Sequence, residues 1–363
     1  MEDLLWLVRE RLGEPAQLLE RDSAAVGRAQ AALGLLRGGL APQEVAGAVR
    51  LSGARVLHAH NLQPTLGWRA LAAARAAGAR VVLHLHQYRL VCAIGVCYTR
   101  GAECTRCHGR NTLAGVRLNC RGSLPEALAY GASLALWQRR LLGEADAVIV
   151  PSEFARERLR ELGAPLAWER VHVLAPPVRA AAAPATDALA AESHALAPAA
   201  DSYALVVARL APEKGVDVAI DACRLAGIPL VVAGDGPERE ALAARARAGE
   251  VRFVGHVDDE QLASLRARAS IALVPSRSAE SFGLAAAEAM AVGLPVAGSR
   301  VGALPELVGE DALVASGDAA ALAGAIARLA GDRQAGERGR ERVRALCSPE
   351  TVARALAAVY DGP

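Results

Sequence analysis

The sequence predicts an α/β protein with two doubly wound domains, each built on a parallel sheet. With 363 residues, the chain is long enough for two domains of ordinary size. In both halves, short apolar runs of strand length alternate with longer stretches of helical composition, which is the pattern of parallel sheets covered by helices. Between the halves, residues 179–201 are mostly Ala and Pro without apolar periodicity, so they predict a linker.

The composition predicts a globular protein in the cytoplasm. Hydrophobic residues make up 53% and charged residues 22% of the chain. Arginines interrupt every alanine-rich segment, so no run approaches the roughly 18 to 20 apolar residues of a membrane helix. The sequence shows no secretory signal, and we expect a cytoplasmic location and no nucleic-acid partner.

The charge is divided unevenly along the chain. Residues 1–180 carry 23 arginines and 15 acidic residues, and the remainder carries 18 basic and 24 acidic residues, so the two parts have net charges of +8 and −6. The basic part would suit an anionic partner such as a lipid phosphate, with peripheral contact at a membrane surface. A solvated arginine-rich surface explains the same charge equally well.

The first predicted domain, residues 1–178, contains four apolar runs of strand length, at residues 55–59, 80–85, 147–150 and 171–174. His60 and Asn61 follow the first run, and His86 follows the second. Because ligands bind outside the carboxyl ends of parallel strands, we expect these side chains to face a cleft. A single histidine at a strand end is more often a structural group, so both interpretations stay open from position alone.

Five of the seven cysteines form a Cys-rich insertion at residues 92–120 of this domain. Cys104 and Cys107 form a CxxC pair, and Cys92 and Cys120 flank it at distances of 12 and 13 residues. Four such thiolates can close a tetrahedral zinc site, which would be structural because no coordination position is left open. Reduced cysteines are the main alternative, and a cytoplasmic location disfavours disulfides. Cys97 is left over in either case.

The second predicted domain, residues 202–348, repeats the alternation, with strand-like runs at residues 203–208, 230–233, 251–254 and 271–274. Arg209 and Lys214 flank the turn after the first of these runs. Lys214 is the only lysine among the 41 residues that are Lys or Arg. A bias that replaces nearly every lysine with arginine would spare a site that needs a compact ammonium group, so we expect Lys214 to be functional.

Residues 271–308 combine a strand, a loop, a helix and a second strand, and they carry two glutamates. Glu280 lies in the loop after the first strand, and Glu288 lies about two turns into the helix that follows. The free backbone N–H groups at the predicted helix start would bind a phosphate; this start comprises Ser281, Phe282, Gly283 and Leu284. A solvated charge near a helix start is the commoner explanation for one glutamate, but the spacing here favours a ligand site.

The segment from Glu280 through Glu288 to AMAVGLPV resembles the donor site of retaining glycosyltransferases of family 4, the glycosyl transferases group 1. These enzymes have the GT-B fold, in which two Rossmann-like domains face each other across a cleft. The resemblance implies that Glu280 contacts hydroxyls of the transferred sugar and that Glu288 holds the ribose diol. Carboxylates suit both tasks because each accepts two hydrogen bonds from adjacent hydroxyls.

The resemblance extends to ARLAPEKG, where Arg209 and Lys214 would grip the donor diphosphate, although Ala208 replaces the usual glycine. It places Gly234, in a GDGP turn, near the nucleotide. The segment FVGHV further resembles the family's base-contacting stretch, so the nucleotide base is expected near His256 and Val257.

In the first domain, the resemblance maps His86 onto the cleft histidine that contacts the sugar and the acceptor region, and it supports His60 only weakly. Residues 349–363 predict a final helix, which in the GT-B fold crosses back to the first domain. The helical pattern at residues 3–11 departs from the family, whose members usually open with a strand and a glycine-rich loop. We expect either a start assigned too late or a trimmed and impaired protein.

The resemblance implies transfer of a sugar from a nucleotide diphosphate sugar, UDP- or GDP-linked, to a hydroxyl acceptor that is lipid-linked or a saccharide. Arg209 and Lys214 would stabilise the leaving diphosphate, so no catalytic metal is expected. Glu280 and His86 would act on the reacting sugar, with the anomeric configuration retained. The alternative is a degenerate, non-catalytic relative that binds nucleotide sugars, and a GT-B epimerase or phosphorylase is a further enzyme class.

Overall fold

The computed structural model of the protein describes residues 2–22, 25–179, 202–246 and 249–362. The chain folds into two compact units. The first runs to Ala175, without Arg100–Ala102, and resumes at Val352; the second lies between these points. Residues 180–201 of the predicted linker lie outside the described part of the chain.

Strands and helices alternate along both units. The strands are, in chain order, β1 (Val56–His60), β2 (Arg80–His84), β3 (Tyr98–Thr99), β4 (Ala102–Glu103), β5 (Ala147–Val150), β6 (Val171–Val173), β7 (Ala204–Val207), β8 (Leu230–Ala233), β9 (Val251–Gly255), β10 (Ile271–Val274), β11 (Val296–Ser299) and β12 (Leu313–Val314). The α-helices are α1 (Glu2–Arg11), α2 (Arg28–Arg37), α3 (Pro42–Ser52), α4 (Gly67–Ala76), α5 (Leu113–Arg117), α6 (Leu124–Gly143), α7 (Glu153–Glu161), α8 (Val216–Ala226), α9 (Arg239–Arg245), α10 (Asp259–Arg268), α11 (Leu284–Ala291), α12 (Leu304–Leu307), α13 (Ala319–Leu329), α14 (Arg333–Cys347) and α15 (Pro349–Asp361).

The first unit is built on a parallel sheet in the order β1-β2-β5-β6. Apolar residues from its strands pack against helices on both faces of the sheet. On one face, Leu83 packs with Leu71 of α4. On the other face, Val82 packs with Leu7 of α1 and with Leu356 of the C-terminal helix α15. The strand order follows the chain without reversal, so this sheet has no switch point of the doubly wound kind.

The second unit contains a parallel sheet of six strands in the order β12-β11-β10-β7-β8-β9. Read from the other edge, this is the doubly wound order 3-2-1-4-5-6, and it reverses between β7 and β10. The core on one face includes Val206, Ile220 of α8 and Ile326 of α13. The carboxyl ends of β7 and β10 therefore border the crevice in which open α/β sheets bind ligands.

Side chains at the starts of α7 and α10 satisfy some of the first N–H groups of these helices. Ser152 accepts a 3.0 Å hydrogen bond from Ala155 N at the start of α7. Asp258 and Gln261 form a reciprocal capping box at the start of α10. Within the described residues, no helix combines the length and apolar character needed to cross a membrane.

Candidate functional site

The switch point of the second sheet gathers the loops that carry three predicted site residues. Arg209 follows β7, and Lys214 ends a short 3-10 turn at Pro212–Lys214. Glu280 lies in the loop between β10 and α11. Because β7 and β10 are hydrogen-bonded neighbours, their following loops meet at one edge of the sheet.

Lys214 and Glu280 form the centre of this site. The Lys214 Nζ atom lies 2.8 Å from Glu280 Oε1, with 29% and 15% of the two side chains exposed. Ser276, which sequence analysis missed, donates a 2.5 Å hydrogen bond from Oγ to the same oxygen. A cavity of about 150 Å³ lies against this pair, and its lining also includes Ala208 and Leu284. The site thus offers an ammonium and a carboxylate side by side in a half-buried cavity.

A second ion pair connects the loop that carries Glu280 to helix α8. Arg277 NH1 and NH2 donate to the two carboxylate oxygens of Asp217 at 2.7 and 2.6 Å. Burial raises the pKa of Asp217, but the hydrogen bonds and charge of Arg277 outweigh it and hold this pKa below its ordinary value. The Arg277 backbone N also donates to Glu213 O at 2.8 Å. These contacts fix the distance between the loops that carry Lys214 and Glu280.

Helix α11 begins at Leu284, so the prediction that it opens at Ser281 is wrong. Gly283 adopts a left-handed conformation with φ of +101°, which ends the loop and cannot form part of a right-handed helix. Ser281 and buried Phe282 consequently lie in the loop before the helix. No side chain caps the start of α11, and both Gly283 and Leu284 line the cavity. The helix therefore presents uncapped N–H groups at the site.

Glu288 lies in the second turn of α11 and does not line the cavity beside Glu280. Its carboxylate forms an ion pair with the nearly buried guanidinium of Arg266 in α10. The sequence prediction places Glu288 about two turns into the helix, but the later helix start leaves it just over one turn in. Arg266 is a partner that sequence analysis did not find.

Arg209 lies in the loop after β7, and Gly234 lies after the neighbouring strand β8. The Arg209 side chain is 62% exposed and contacts Glu213 one turn later. Gly234 follows β8 with φ of +131°, and a Cβ atom there would lie 2.0 Å from Ala208 O. Glycine is thus required because the backbone after β8 passes against the backbone after β7.

His256 and Val257 follow β9 at the far edge of the same sheet. His256 is exposed, whereas Val257 is half-buried and packs with Leu265. The structure places both after a carboxyl strand end, as the sequence predicts, but neither residue lines the Lys214 cavity.

In the first unit, the two strand-end histidines are in contact with each other. His60 Nδ1 and His86 Nε2 are 2.7 Å apart, and the two rings stack with centroids 5.0 Å apart. Asn61 is exposed with φ of +43°. Burial, together with the charges of His58 and His86, lowers the pKa of His60 to about 2, so this imidazole is neutral near pH 7.

Sequence analysis missed two further histidines, His58 and His84, that belong to the same stack. The sequences HAH in β1 and HLH at the end of β2 contain the signal, because alternate residues of a strand point to one face.

The four thiols predicted to bind zinc do not form a tetrahedral set in this structure. Among the residues that the structure describes, no group of three or more cysteines offers ligand atoms within 4.8 Å of one another. The Cys92 thiol is hydrogen-bonded to that of Cys97, the leftover cysteine, and this lowers the pKa of Cys92 to about 6. Cys120 Sγ donates to Thr99 Oγ1 at 3.6 Å. The arrangement does not fit the predicted ligand set, and the zinc site stays a prediction.

Comparison with known protein families covers both units. The model of glycosyl transferases group 1 matches residues 192–345, and that of the glycosyl transferase 4-like domain matches residues 7–177. The chain belongs to the group 1 glycosyltransferases. The matches confirm the predicted family and, with the two α/β sheets, the GT-B fold class of two Rossmann-like domains.

Solved structures show the same fold. The chain resembles sucrose-phosphate synthase from Thermosynechococcus elongatus with a TM-score of 0.63 and 24% identity, over 92% of this chain and 79% of that chain. Anabaena HepE in complex with UDP and glucose gives a TM-score of 0.63 at 18% identity, over 89% of this chain and 81% of that one.

Among curated proteins, a glycogen synthase of Mycobacterium tuberculosis is 40% identical over 172 residues, which are 43% of this chain and 41% of the relative. A D-inositol 3-phosphate glycosyltransferase of Acidothermus cellulolyticus is 34% identical over 219 residues, or 53% of this chain and 48% of the relative. The chain thus spans less than half the length of these two relatives. The shared family leaves the donor and the acceptor undefined.

Proposed function

We propose that this glycosyltransferase moves a sugar from a UDP- or GDP-linked donor to a hydroxyl acceptor with retention of configuration. The observation that carries the proposal is the Lys214–Glu280 pair beside the uncapped start of α11, in a cavity at the switch point of the second sheet. An ammonium group and free helix N–H groups suit a diphosphate, and an adjacent carboxylate suits sugar hydroxyls.

The leaving diphosphate requires positive charge as the sugar–phosphate bond breaks. Lys214 and the exposed Arg209 supply this charge from the loop after β7, and the helix dipole of α11 adds to it. We propose that these groups serve in place of a catalytic metal. The departing diphosphate accepts the acceptor proton on the same face of the sugar, so the reaction needs no protein nucleophile.

The carboxylates divide the recognition of the donor between them. Glu280 is proposed to accept hydrogen bonds from the sugar hydroxyls after Lys214 turns toward the diphosphate. Glu288 is proposed to hold the ribose diol, with Arg266 holding its carboxylate in place. His256 and Val257 are proposed to contact the base, and His86 the reacting end of the sugar.

The names of similar proteins support a nucleotide-sugar donor without identifying this one. One solved neighbour is a complex with UDP-glucose, and one relative is a GDP-mannose-dependent mannosyltransferase. Both bases therefore belong in the test, together with adenine as a third.

The acceptor is proposed to be lipid-linked or a saccharide, with peripheral membrane contact through the first unit. Helices α2 and α6 pack together and expose Leu33, Leu36 and Leu136, at 42%, 47% and 56%. Arg140 lies over the ring of Trp137 in the same helix pair. Exposed leucines beside arginines favour an anionic lipid surface over a neutral one.

The single lysine allows a direct test of the donor site. Reductive methylation with ¹³C-formaldehyde labels only Lys214 and the α-amino group, so two NMR signals are expected. UDP, GDP or ADP should shift the Lys214 signal, and the α-amino signal serves as an internal reference. Lys214→Ala should lower the affinity for the matching nucleotide about 10- to 100-fold, because a charge-assisted hydrogen bond is lost.

A matched control is Arg245→Ala, which removes a cation paired with Asp221 on the same unit. The proposal fails if no nucleotide moves the Lys214 signal and Lys214→Ala binds as tightly as the unmodified protein. Nucleotide binding without release of nucleoside diphosphate from any donor, with or without acceptor, would instead identify the non-catalytic binding protein.

A further inference from the structure

The first unit contains a stack of four histidines that the proposed transfer does not use as a group. His58 and His60 lie in β1, His84 ends β2, and His86 follows two residues later. Because His60 is in register with His84, the alternation of both strands brings all four rings to one face. Adjacent ring centroids are 4.2 to 5.3 Å apart.

Three of these rings converge closely enough to share one ion. One ring nitrogen from each of His58, His60 and His84 lies within 4.8 Å of the other two. In the ranges described, 2–22, 25–179, 202–246 and 249–362, no other group of three or more His, Cys, Asp or Glu residues meets this condition. His84 is only 6% exposed, so the group is set into the protein.

The hydrogen bonds among the rings leave a nitrogen without a partner. His58 uses both nitrogens: Nδ1 lies 2.8 Å from Tyr360 Oη, and Nε2 lies 3.2 Å from His84 Nδ1. His60 Nδ1 contacts His86 Nε2, but His60 Nε2 is buried and has no hydrogen-bond partner among the described residues. A buried polar atom without a partner destabilises the fold, and a ligand that binds this atom would remove that destabilisation.

The separation of the paired nitrogens fits a shared metal ion. In a tetrahedral site with Zn–N bonds of about 2.0 to 2.1 Å, neighbouring nitrogens are about 3.3 to 3.4 Å apart. His58 Nε2 and His84 Nδ1 are 3.2 Å apart, which is close to this separation, and the two rings would reorient to direct both nitrogens at an ion beside the line that joins them.

We propose that His58, His60 and His84 bind one divalent transition-metal ion of the Zn²⁺ class. Imidazole nitrogen is a preferred ligand of Zn²⁺, Co²⁺ and Ni²⁺ and a poor one for Mg²⁺ and Ca²⁺. Tyr360 positions His58 and His86 positions His60, because each contacts the ring nitrogen opposite the proposed ligand atom. Three protein ligands leave a fourth position for water.

The proposed ligands all lie in the first unit, and the proposal assigns the metal no step in the sugar transfer. The site also ties α15 to β1, since Tyr360 lies in that helix. Metal binding should therefore stabilise the first unit.

The test is a Co²⁺ titration of the full chain near pH 7, followed by visible absorption and by metal analysis after gel filtration. We expect one equivalent of Co²⁺, with the d–d bands of a four-coordinate nitrogen and oxygen site. His84→Gln should abolish stoichiometric binding, and Tyr360→Phe should weaken it about 10- to 100-fold while keeping the packed ring. His172→Gln, in β6 of the same sheet, is the matched control and should bind as the unmodified protein does.

The cysteine-rich insertion is the competing site, and the spectrum separates the two. Thiolate ligands give intense charge-transfer absorption that imidazoles do not. The proposal is overturned if no Co²⁺ binds. It is also overturned if the bound ion shows thiolate absorption that disappears in Cys104→Ser while His84→Gln leaves it unchanged. Thermal unfolding of His84→Gln without metal shows that the variant is folded, and His60→Gln provides a second variant with the same expected loss.

Discussion

The ion pair between Asp217 and Arg277 should control the stability of the loop that carries Glu280. Asp217→Asn keeps the size of the side chain but replaces one acceptor oxygen with an NH2 group, which would face an Arg277 donor. The two native hydrogen bonds measure 2.6 and 2.7 Å. The substitution therefore removes one of them, together with the attraction between full charges.

The expected cost is about 2 kcal/mol. A hydrogen bond to a charged group contributes roughly 1.5 to 3 kcal/mol, whereas a fully exposed ion pair contributes only about 0.2 to 1 kcal/mol. The two side chains are only 28% and 24% exposed, so the lower part of the range for a hydrogen bond to a charged group applies. At about 1.4 kcal/mol per factor of ten, the opening equilibrium of this region should rise about thirty-fold.

Hydrogen exchange of peptides from the second unit measures this cost directly. Tryptophan fluorescence would miss it, because all four tryptophans, at positions 6, 68, 137 and 168, lie in the first unit. Arg277 holds the pKa of Asp217 below its ordinary value of 3.8, so the pair stabilises the protein above that pH. The difference between Asp217→Asn and the unmodified protein should therefore shrink as the pH falls below 3.8.

A double-mutant cycle with Arg277→Met separates the pair from other effects of each substitution. The expected coupling energy is about 1 to 2 kcal/mol, by the same estimate as above. A coupling energy near zero, or a cost that is unchanged at pH 3, would refute the assignment of this stability to the ion pair.

Two further predictions concern packing in the second unit. Gly302→Ala should destabilise the second unit by over about 1 kcal/mol more than Gly317→Ala does, as measured by hydrogen exchange. A Cβ atom at Gly302 (φ +60°) would lie 2.3 Å from backbone atoms of Glu280. A Cβ atom at Gly317 (φ +84°) would have no heavy atom within 4 Å among the described residues. Ile220→Ala should lower the free energy of unfolding by about 2 to 5 kcal/mol, as measured by denaturant unfolding. Leu225 is 65% exposed in the same helix, so Leu225→Ala should lower it by less than about 0.5 kcal/mol. Equal costs within either pair of variants would contradict the packing described for the second unit.

The sequence allowed much of the sheet framework to be predicted. The runs 147–150, 230–233 and 271–274 coincide with β5, β8 and β10. They are short, apolar and bounded by turn residues, so local pattern and tertiary burial favour the same structure. Lys214 and Glu280 each lie in a loop after a predicted strand, and the structure brings the two side chains into contact.

The parts that could not be predicted depend on which side chains meet across the fold. Nothing near Glu288 in the sequence indicates that Arg266, 22 residues earlier, forms an ion pair with its carboxylate. His58 and His84 were overlooked because each alone is a buried strand residue, and only the strand register stacks them. The cysteine spacing predicts a set of four thiols that leaves out Cys97. In the structure, however, the Cys92 thiol is hydrogen-bonded to that of Cys97.

In the structure without ligand, three cations of the proposed donor site are already paired with carboxylates. Lys214 contacts Glu280, Arg209 contacts Glu213, and Arg266 contacts Glu288. In the proposed function, a diphosphate would replace Glu280 as the partner of Lys214. The released Glu280 carboxylate would be left in a half-buried cavity, where it needs new donors. Sugar hydroxyls would supply these donors, so the exchange would favour a whole nucleotide sugar over a nucleoside diphosphate alone. Under this proposal, the pairing would couple recognition of the phosphate to recognition of the sugar within one site.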